Sequence, residues 1–209
     1  MSKGVLTVVS GFSGAGKGTV MRRLLEKYDD CVLSISVTTR KPREGEVDGR
    51  DYFFRTKEEV EAMIEADELL EYAQYVENYY GTPRAYVEEM LSRGKNVILE
   101  IEIQGALKVK KAFPDTLLLF ITPPTAQELR SRLVGRGTET LDVIESRMDR
   151  ACEEAEGMDQ YDYLIVNDDL DTCVEEVHQI IRGEHHRSTR NTGFMEKIKE
   201  DLNSLKGEK

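Results

Sequence analysis

The stretch Gly11-Phe12-Ser13-Gly14-Ala15-Gly16-Lys17-Gly18-Thr19 has the residue types and spacing of an anion cradle. Its glycines let backbone N–H groups turn inward on one point, and a helix starting at the end of the loop adds its partial positive charge there. Lys17 brings a full charge within reach of the outer phosphates of a nucleoside triphosphate. The flanks agree. Val5-Leu6-Thr7-Val8-Val9 reads as a buried strand and Val20-Met21-Arg22-Arg23-Leu24-Leu25 as a helix. Strand, glycine-rich turn and helix in that order separate a phosphate loop from a chance glycine run. One position departs from the general pattern. Gly18 follows the lysine where Ser or Thr would ligate Mg²⁺, and Thr19 comes one place later.

A triphosphate site suggests phosphoryl transfer, which asks a protein for positioning, charge neutralisation and Mg²⁺ rather than covalent chemistry. Glu100 and Glu102 close the apolar run Val97-Ile98-Leu99, where a carboxylate can hold the metal or its waters. Solvated acids at a strand end would look the same. Arginines gather in two places: Arg40, Arg43 and Arg50 in one, Arg132, Arg136, Arg147 and Arg150 in the other. Guanidinium forks match phosphate oxygens, so one group can hold an acceptor's phosphate while the other closes over the donor's. Any single arginine could equally be a surface ion pair worth about 0–1 kcal/mol.

These side chains need rigid supports, and the hydrophobic periodicity supplies them. Apolar runs at 5–9, 31–36, 96–101, 117–121 and 163–166 predict buried strands. Helices are expected after the phosphate loop, from the capping box Thr56…Glu59 to about Ala66, and from Pro83 with Thr82 as its cap. Others should start at a second capping box, Thr125…Glu128, and run over Leu141–Glu156 and Leu170–Arg182. Asp51–Phe54 and Leu69–Val76 read as further strands, with Tyr79-Tyr80-Gly81-Thr82 as a turn. Buried strands alternating with helices argue for a parallel α/β sheet covered on both faces. The polar segment from about 36 to 92 has its own smaller βα content and reads as an inserted lobe. In the tail, Met195, Ile198, Leu202 and Leu205 predict an amphipathic helix that docks on the domain or on a partner.

A chain of 209 residues, 39% hydrophobic and 33% charged, suits one folded domain. Its net charge of −11 argues against a nucleic-acid partner. No apolar run reaches the roughly 18 residues a membrane span needs, and Met1-Ser2-Lys3-Gly4 leaves no room for a signal peptide. Cys31, Cys152 and Cys173 lack metal-ligand spacing and read as ordinary buried thiols of a reduced, cytoplasmic protein. His185-His186 reads as a solvated turn.

Thr38-Thr39-Arg40, Pro42-Arg43, Gly45-Glu46, Gly49 and Asp51-Tyr52-Phe53-Phe54 resemble the signature of guanylate kinases. The resemblance runs on through Glu71-Tyr72-Ala73, Tyr79-Tyr80-Gly81-Thr82, Gln104-Gly105, Pro123-Pro124, Arg136-Gly137-Thr138-Glu139-Thr140 and Val166-Asn167-Asp168-Asp169. It implies an α/β fold with a parallel-sheet P-loop kinase core, an inserted GMP-binding lobe at about 36–92 and a helical lid at about 126–156. The domain would span 1–182, with 183–209 a C-terminal helical extension. The reaction implied is Mg²⁺-dependent phosphoryl transfer from ATP to GMP, and to dGMP, giving ADP and GDP in purine nucleotide metabolism. Gly11 to Thr19, Arg132, Arg136 and Asn167 would bind ATP, with Lys17, Arg40, Arg136 and Arg147 as catalytic residues. Arg40, Arg43, Tyr52 and Tyr80 would hold the GMP phosphate, and Ser36, Glu71 and Thr82, beside Gly81, would read the guanine. An ionised Glu71 can accept from the adjacent N1–H and 2-amino donors of guanine, which adenine cannot offer. Glu100 and Glu102 stand where the family usually has Asp-x-Asp and are expected at the GMP site, with Glu100 and Thr19 only in outer roles toward Mg²⁺.

Two other readings compete. A kinase of another monophosphate such as AMP would leave Glu71 buried and unpaired. A non-catalytic module of the same shape would usually lack the loop lysine and lid arginines, and both Lys17 and Arg136 are present. A GTPase switch would need N-K-x-D, and Asn167-Asp168-Asp169 has no lysine. The residues leave the oligomeric state open.

Overall fold

A computed structural model describes residues 3–75, 77–135 and 140–207. In chain order the elements are β1 (Leu6–Gly11), α1 (Lys17–Lys27), β2 (Cys31–Leu33), β3 (Val37–Thr38), β4 (Phe53–Phe54) and α2 (Lys57–Glu65). Then come β5 (Leu69–Tyr75), β6 (Asn78–Pro83), α3 (Arg84–Ser92), β7 (Asn96–Glu100), α4 (Ile103–Ala112) and β8 (Leu117–Thr122). The chain continues through α5 (Ala126–Gly135), α6 (Leu141–Ala155), β9 (Tyr163–Val166), α7 (Leu170–Glu184) and α8 (Thr192–Gly207).

Five strands form a parallel sheet in the order β2-β7-β1-β8-β9. The two central partners of β1 are all but continuous apolar runs, as strands covered on both faces must be. Leu6 to Val9 pair with Val97 to Glu100 on one side, and Thr7 to Gly11 with Leu117 to Ile121 on the other. Phe120, fully buried, meets Phe12 and Tyr161 edge-on at 5.0 and 5.1 Å. That packing fixes Phe12, and with it the start of the glycine loop. Because the strands are parallel, their carboxyl ends share one rim, where Gly11, Glu100 and Thr122 emerge together.

Between β2 and β7 the chain builds a second, four-stranded sheet, β4-β3-β6-β5. Its own core is small, with Val37, Val60 and Leu69 at the centre. Thr56 caps α2 with both bonds of the capping box in place. The stretch 79–82 is strand, not turn: Tyr79 to Gly81 pair antiparallel with Tyr72 to Gln74, and the chain reverses between Tyr75 and Asn78. Thr82 does not cap α3 either. Its hydroxyl is drawn away by a buried carboxylate, and Pro83 occupies the cap position.

Other expectations shift for equally local reasons. The 31–36 run is strand only to Leu33, and 51–54 only at Phe53–Phe54. The apolar segment 163–166 is an edge strand, and of its four residues only Ile165 is buried. At the second capping box Thr125 Oγ1 accepts from the Glu128 N–H, but the Glu128 carboxylate turns along α5 to Arg132 Nε at 2.7 Å. Cys31 and Cys173 are buried, and burial pushes their thiols up to about 12 and about 11, whereas Cys152 is exposed on α6. His185 is half-buried, bonded to Asn96 rather than only solvated. The stripe Met195, Ile198, Leu202 and Leu205 forms a helix, as expected, but stays exposed on α8. Among the described residues no helix is long and apolar enough to cross a membrane.

Candidate active site

Two glycines of the loop sit where a side chain has no room. Gly11 (φ 149°) and Gly16 (φ 91°) take backbone conformations that side chains rarely adopt. A Cβ at Gly11 would lie 2.1 Å from the Ile121 carbonyl oxygen, and one at Gly16 2.5 Å from Asn167 Nδ2. Asn167 follows β9 and donates Nδ2 to the Ala15 carbonyl at 2.8 Å, so its side chain braces the loop. Lys17 Nζ folds back to the carbonyls of Gly11 (2.6 Å) and Phe12 (3.1 Å), across the mouth of the cradle. From α6, Arg147 Nη1 donates to Ser13 Oγ at 3.0 Å, and from α5, Arg132 Nη1 approaches the Ala15 carbonyl at 3.5 Å. Positions 132, 147 and 167 are far from the loop in sequence and converge on its rim. Arg136 lies outside the described residues.

A cleft of about 840 Å³ opens from this rim, within the range of small-molecule sites. Ser13 and Lys17 line one end, Glu100 and Glu102 the floor, and Ser36, Tyr52 and Thr82 the other end, with Arg147 and Arg150 on the wall from α6. The core sheet and the smaller sheet therefore contribute to one space.

At the far end Arg40 is clamped by Glu46 through two parallel bonds of 2.9 and 3.0 Å, and its guanidinium lies over the Tyr52 ring at 5.4 Å. The Glu46 bonds raise the Arg40 pKa, with the Tyr80 hydroxyl adding to them, while Arg40 and the Arg43 N–H hold the Glu46 carboxyl below its usual range. These side chains are only 17% and 20% exposed. Tyr52 and Tyr80 meet edge-on at 6.1 Å.

Glu71 is the other polar anchor. It is 8% exposed, and the Thr82 hydroxyl donates to its Oε1 at 2.7 Å. Burial raises its pKa, and the Thr82 bond and the Lys108 charge oppose the rise. Oε2 faces α4, where a Cβ at Gly105 would come within 3.3 Å of it. Gly81 does a similar job from β6: a Cβ there would meet Leu69 at 2.8 Å. Thr82 lines the cleft and Glu71 sits behind it, so a buried carboxylate backs the end opposite the triphosphate cradle.

Residues 3–184 match the guanylate kinase family. The chain belongs to that family. The guanylate kinase of Bacillus cereus (strain ZK / E33L) is 53% identical over 201 residues, covering 96% of this chain and 98% of the relative. That of Lactococcus lactis subsp. lactis (strain IL1403) is 53% identical over 188 residues, 90% of this chain and 92% of the relative. The crystal structure of guanylate kinase from Anaplasma phagocytophilum superimposes with a TM-score of 0.70 at 34% identity, covering 90% of both chains.

Against this guanylate kinase frame, the floor carboxylates divide. Glu102 is taken by Arg150 at 2.7 Å, and Arg150 also reaches Glu154 at 3.3 Å. Glu100 opens onto the cleft at the end of β7. Partial burial there pushes its carboxyl up and Lys17 pulls it down. It also lines a side pocket with Gly18, the position that lacks a hydroxyl. Glu100 is thus the carboxylate that fits an outer role toward a phosphate-bound cation. Thr19 is exposed on the first turn of α1. Two partners went unforeseen, Glu46 for Arg40 and Glu154 for Arg150. Only the six-residue spacing of Arg40 and Glu46 within one polar turn could have signalled the first.

Proposed function

We propose that this cleft carries out the family's reaction with the donor at the glycine loop and the acceptor between Arg40 and Glu71. The chain is an ATP-dependent kinase that converts GMP to GDP. The observation that carries the assignment of the two ends is the buried Glu71–Thr82 pair beside the acceptor end of a cleft whose other end is the phosphate loop.

The loop N–H groups and Lys17 would hold the β- and γ-phosphates, Lys17 exchanging its two carbonyl contacts for phosphate oxygens. Arg147, Arg132 and Arg136 would add positive charge on the donor side as 126–156 acts as a lid. Arg40 and Arg43, with the hydroxyls of Tyr52 and Tyr80, would fix the GMP phosphate for in-line attack. Thr82 occupies one lone pair of Glu71 and leaves others for the guanine N1–H and 2-amino group. Ser36, at the cleft wall, completes the base site. Mg²⁺ would neutralise charge on the transferring group, held by phosphate oxygens and water with Glu100 behind them.

The test is an ADP-release assay against GMP, dGMP, AMP, CMP and UMP, with and without Mg²⁺. GMP and dGMP should turn over and the others scarcely. AMP as the preferred acceptor would overturn the role given to Glu71.

A further inference from the structure

At the opposite end of the parallel strands from the cleft, where β2 begins, three side chains from separate elements converge. Asp30 ends the turn after α1, Cys31 opens β2, and His178 lies midway along α7. One carboxylate oxygen, the thiol sulfur and a ring nitrogen all lie within 4.8 Å of one another. Positions 30, 31 and 178 carry no spacing signal, so only the fold assembles them.

Asp30 and His178 are oriented from outside the trio. Asn96 Nδ2 donates to Asp30 Oδ2 at 3.1 Å, while Oδ1 faces His178 Nε2 at 3.2 Å. The Asn96 amide is itself fixed, because its Oδ1 accepts from the Val5 N–H at 3.1 Å and from His185 Nε2 at 2.8 Å. The Tyr28 ring stacks on His178 at 3.5 Å between centroids and 8° between planes, and its hydroxyl donates to Glu175 at 2.7 Å. Cys31 and His178 are buried, whereas the Asp30 side chain is 41% exposed and leaves a way in for an ion and a water.

We propose that Asp30, Cys31 and His178 bind a thiophilic divalent cation of the zinc class, with water as fourth ligand. Sulfur, imidazole nitrogen and carboxylate oxygen together suit a borderline-soft tetrahedral ion, while Mg²⁺ and Ca²⁺ take oxygen donors. Ligands about 2.0 Å from a tetrahedral centre stand roughly 3.3 Å apart, close to the spacing of Asp30 and His178. Binding forms a metal–sulfur bond as the Cys31 thiol releases its proton to solvent, and His178 binds as neutral imidazole. The ion would tie the α1–β2 turn to α7, away from the phosphates, and so would act on stability rather than on transfer.

The test is titration of the reduced, nucleotide-free chain with Co²⁺ and Zn²⁺. Co²⁺ should produce a thiolate-to-cobalt charge-transfer band and tetrahedral visible bands, and Zn²⁺ should displace it. Cys31→Ser should abolish the charge-transfer band, and His178→Gln should weaken binding by at least the roughly 10–100-fold that loss of an outer-shell partner costs. Cys152→Ser, which removes the exposed thiol, should change neither. Zn²⁺ should raise the Tm of the wild type and not that of Cys31→Ser. Absence of the band in the wild type, or its survival in Cys31→Ser, overturns the proposal. Should His178→Gln not fold, the near-isosteric Cys31→Ser decides alone.

Discussion

The two ends of the cleft are built to different standards of rigidity. The donor loop leaves β1 at the centre of the large core, and added side chains would meet the Ile121 backbone at Gly11, Leu133 at Gly14 and Asn167 at Gly16. The acceptor end stands on a small sheet whose core centres on Val37, Val60 and Leu69. Gly81 in β6 is crowded too, by Leu69 and the Glu71 carbonyl, but the turn that carries Glu46 is open. Gly45 has φ 86°, like the loop glycines, yet nothing lies within 4 Å of where its Cβ would be. The donor site is fixed by backbone shape, the acceptor site by a few side-chain bonds. A kinase that must accept one particular base while closing over both substrates gains from that division, since the end that discriminates is also the end that can yield.

The largest break should come at the donor end. Lys17→Ala removes the charge placed at the loop mouth, and kcat should fall by roughly 10³-fold or more. GMP affinity, read by calorimetry, should hardly move, because Lys17 is placed to hold the donor's phosphates. Normal turnover in this variant would refute the donor assignment.

A matched pair of glycine substitutions turns the rigidity contrast into a stability measurement. Gly11→Ala adds both a disfavoured φ and a clash with the Ile121 carbonyl, in a strand that cannot shift without disturbing β8. The expected loss is about 3 kcal/mol or more by denaturant unfolding. Gly45→Ala adds only the disfavoured φ, so about 1 kcal/mol should be lost. Equal losses would mean the two ends do not differ as described.

Glu71→Gln probes the discriminating end. The amide still accepts from Thr82 but offers guanine a donor where it needs an acceptor. Selectivity for GMP over AMP, as a ratio of kcat/KM, should fall by roughly 10–100-fold. The same change should stabilise the unliganded protein. A carboxyl whose folded pKa is raised by burial binds its proton more tightly folded than unfolded. Stability is then lost as pH rises from the ordinary value near 4.5 through the raised one. Gln removes that loss, and a gain of about 1 kcal/mol at neutral pH would lift Tm by roughly 2–4 °C. In the wild type, KM for GMP should rise on acidification through the raised pKa, as Glu71 takes up its proton. Unchanged selectivity, or a pH-independent KM, would count against the guanine contact.

How much of this was legible in the sequence follows the same divide. The donor loop is contiguous, and strand, loop and helix announce it at residues 5 to 25. The core sheet was legible too, because strands covered on both faces must be continuously apolar. The acceptor end was legible only through the family resemblance, since Glu71, Thr82 and Gly105 meet through the register of β5 with β6 and the packing of α4. Thr82 was misread as a helix cap because its sequence context fits one, whereas Pro83 takes the cap position and the Thr82 hydroxyl turns to donate to the Glu71 carboxylate. The edge strand 163–166 was misread as buried because apolar content reports composition, not which side of the sheet is left open.

The smallest predicted effect is the most specific to the acceptor loop. Glu46 touches Arg40 through two bonds and the Arg43 N–H through a third at 2.7 Å. It therefore sets the positions of both arginines assigned to the GMP phosphate. Glu46→Gln keeps the shape and one acceptor oxygen but loses the second charge-assisted bond, so Arg40 is aimed less well before GMP arrives. Binding GMP must then order the guanidinium itself. KM for GMP should rise by roughly 3–10-fold while kcat stays within about twofold, because the phosphate re-forms the geometry once bound. The donor end supplies the control, since KM for ATP should not change. A matching rise in KM for ATP would mean that Glu46 supports the fold as a whole. No rise for GMP would mean that Tyr52, stacked under the guanidinium at 5.4 Å, holds Arg40 well enough alone.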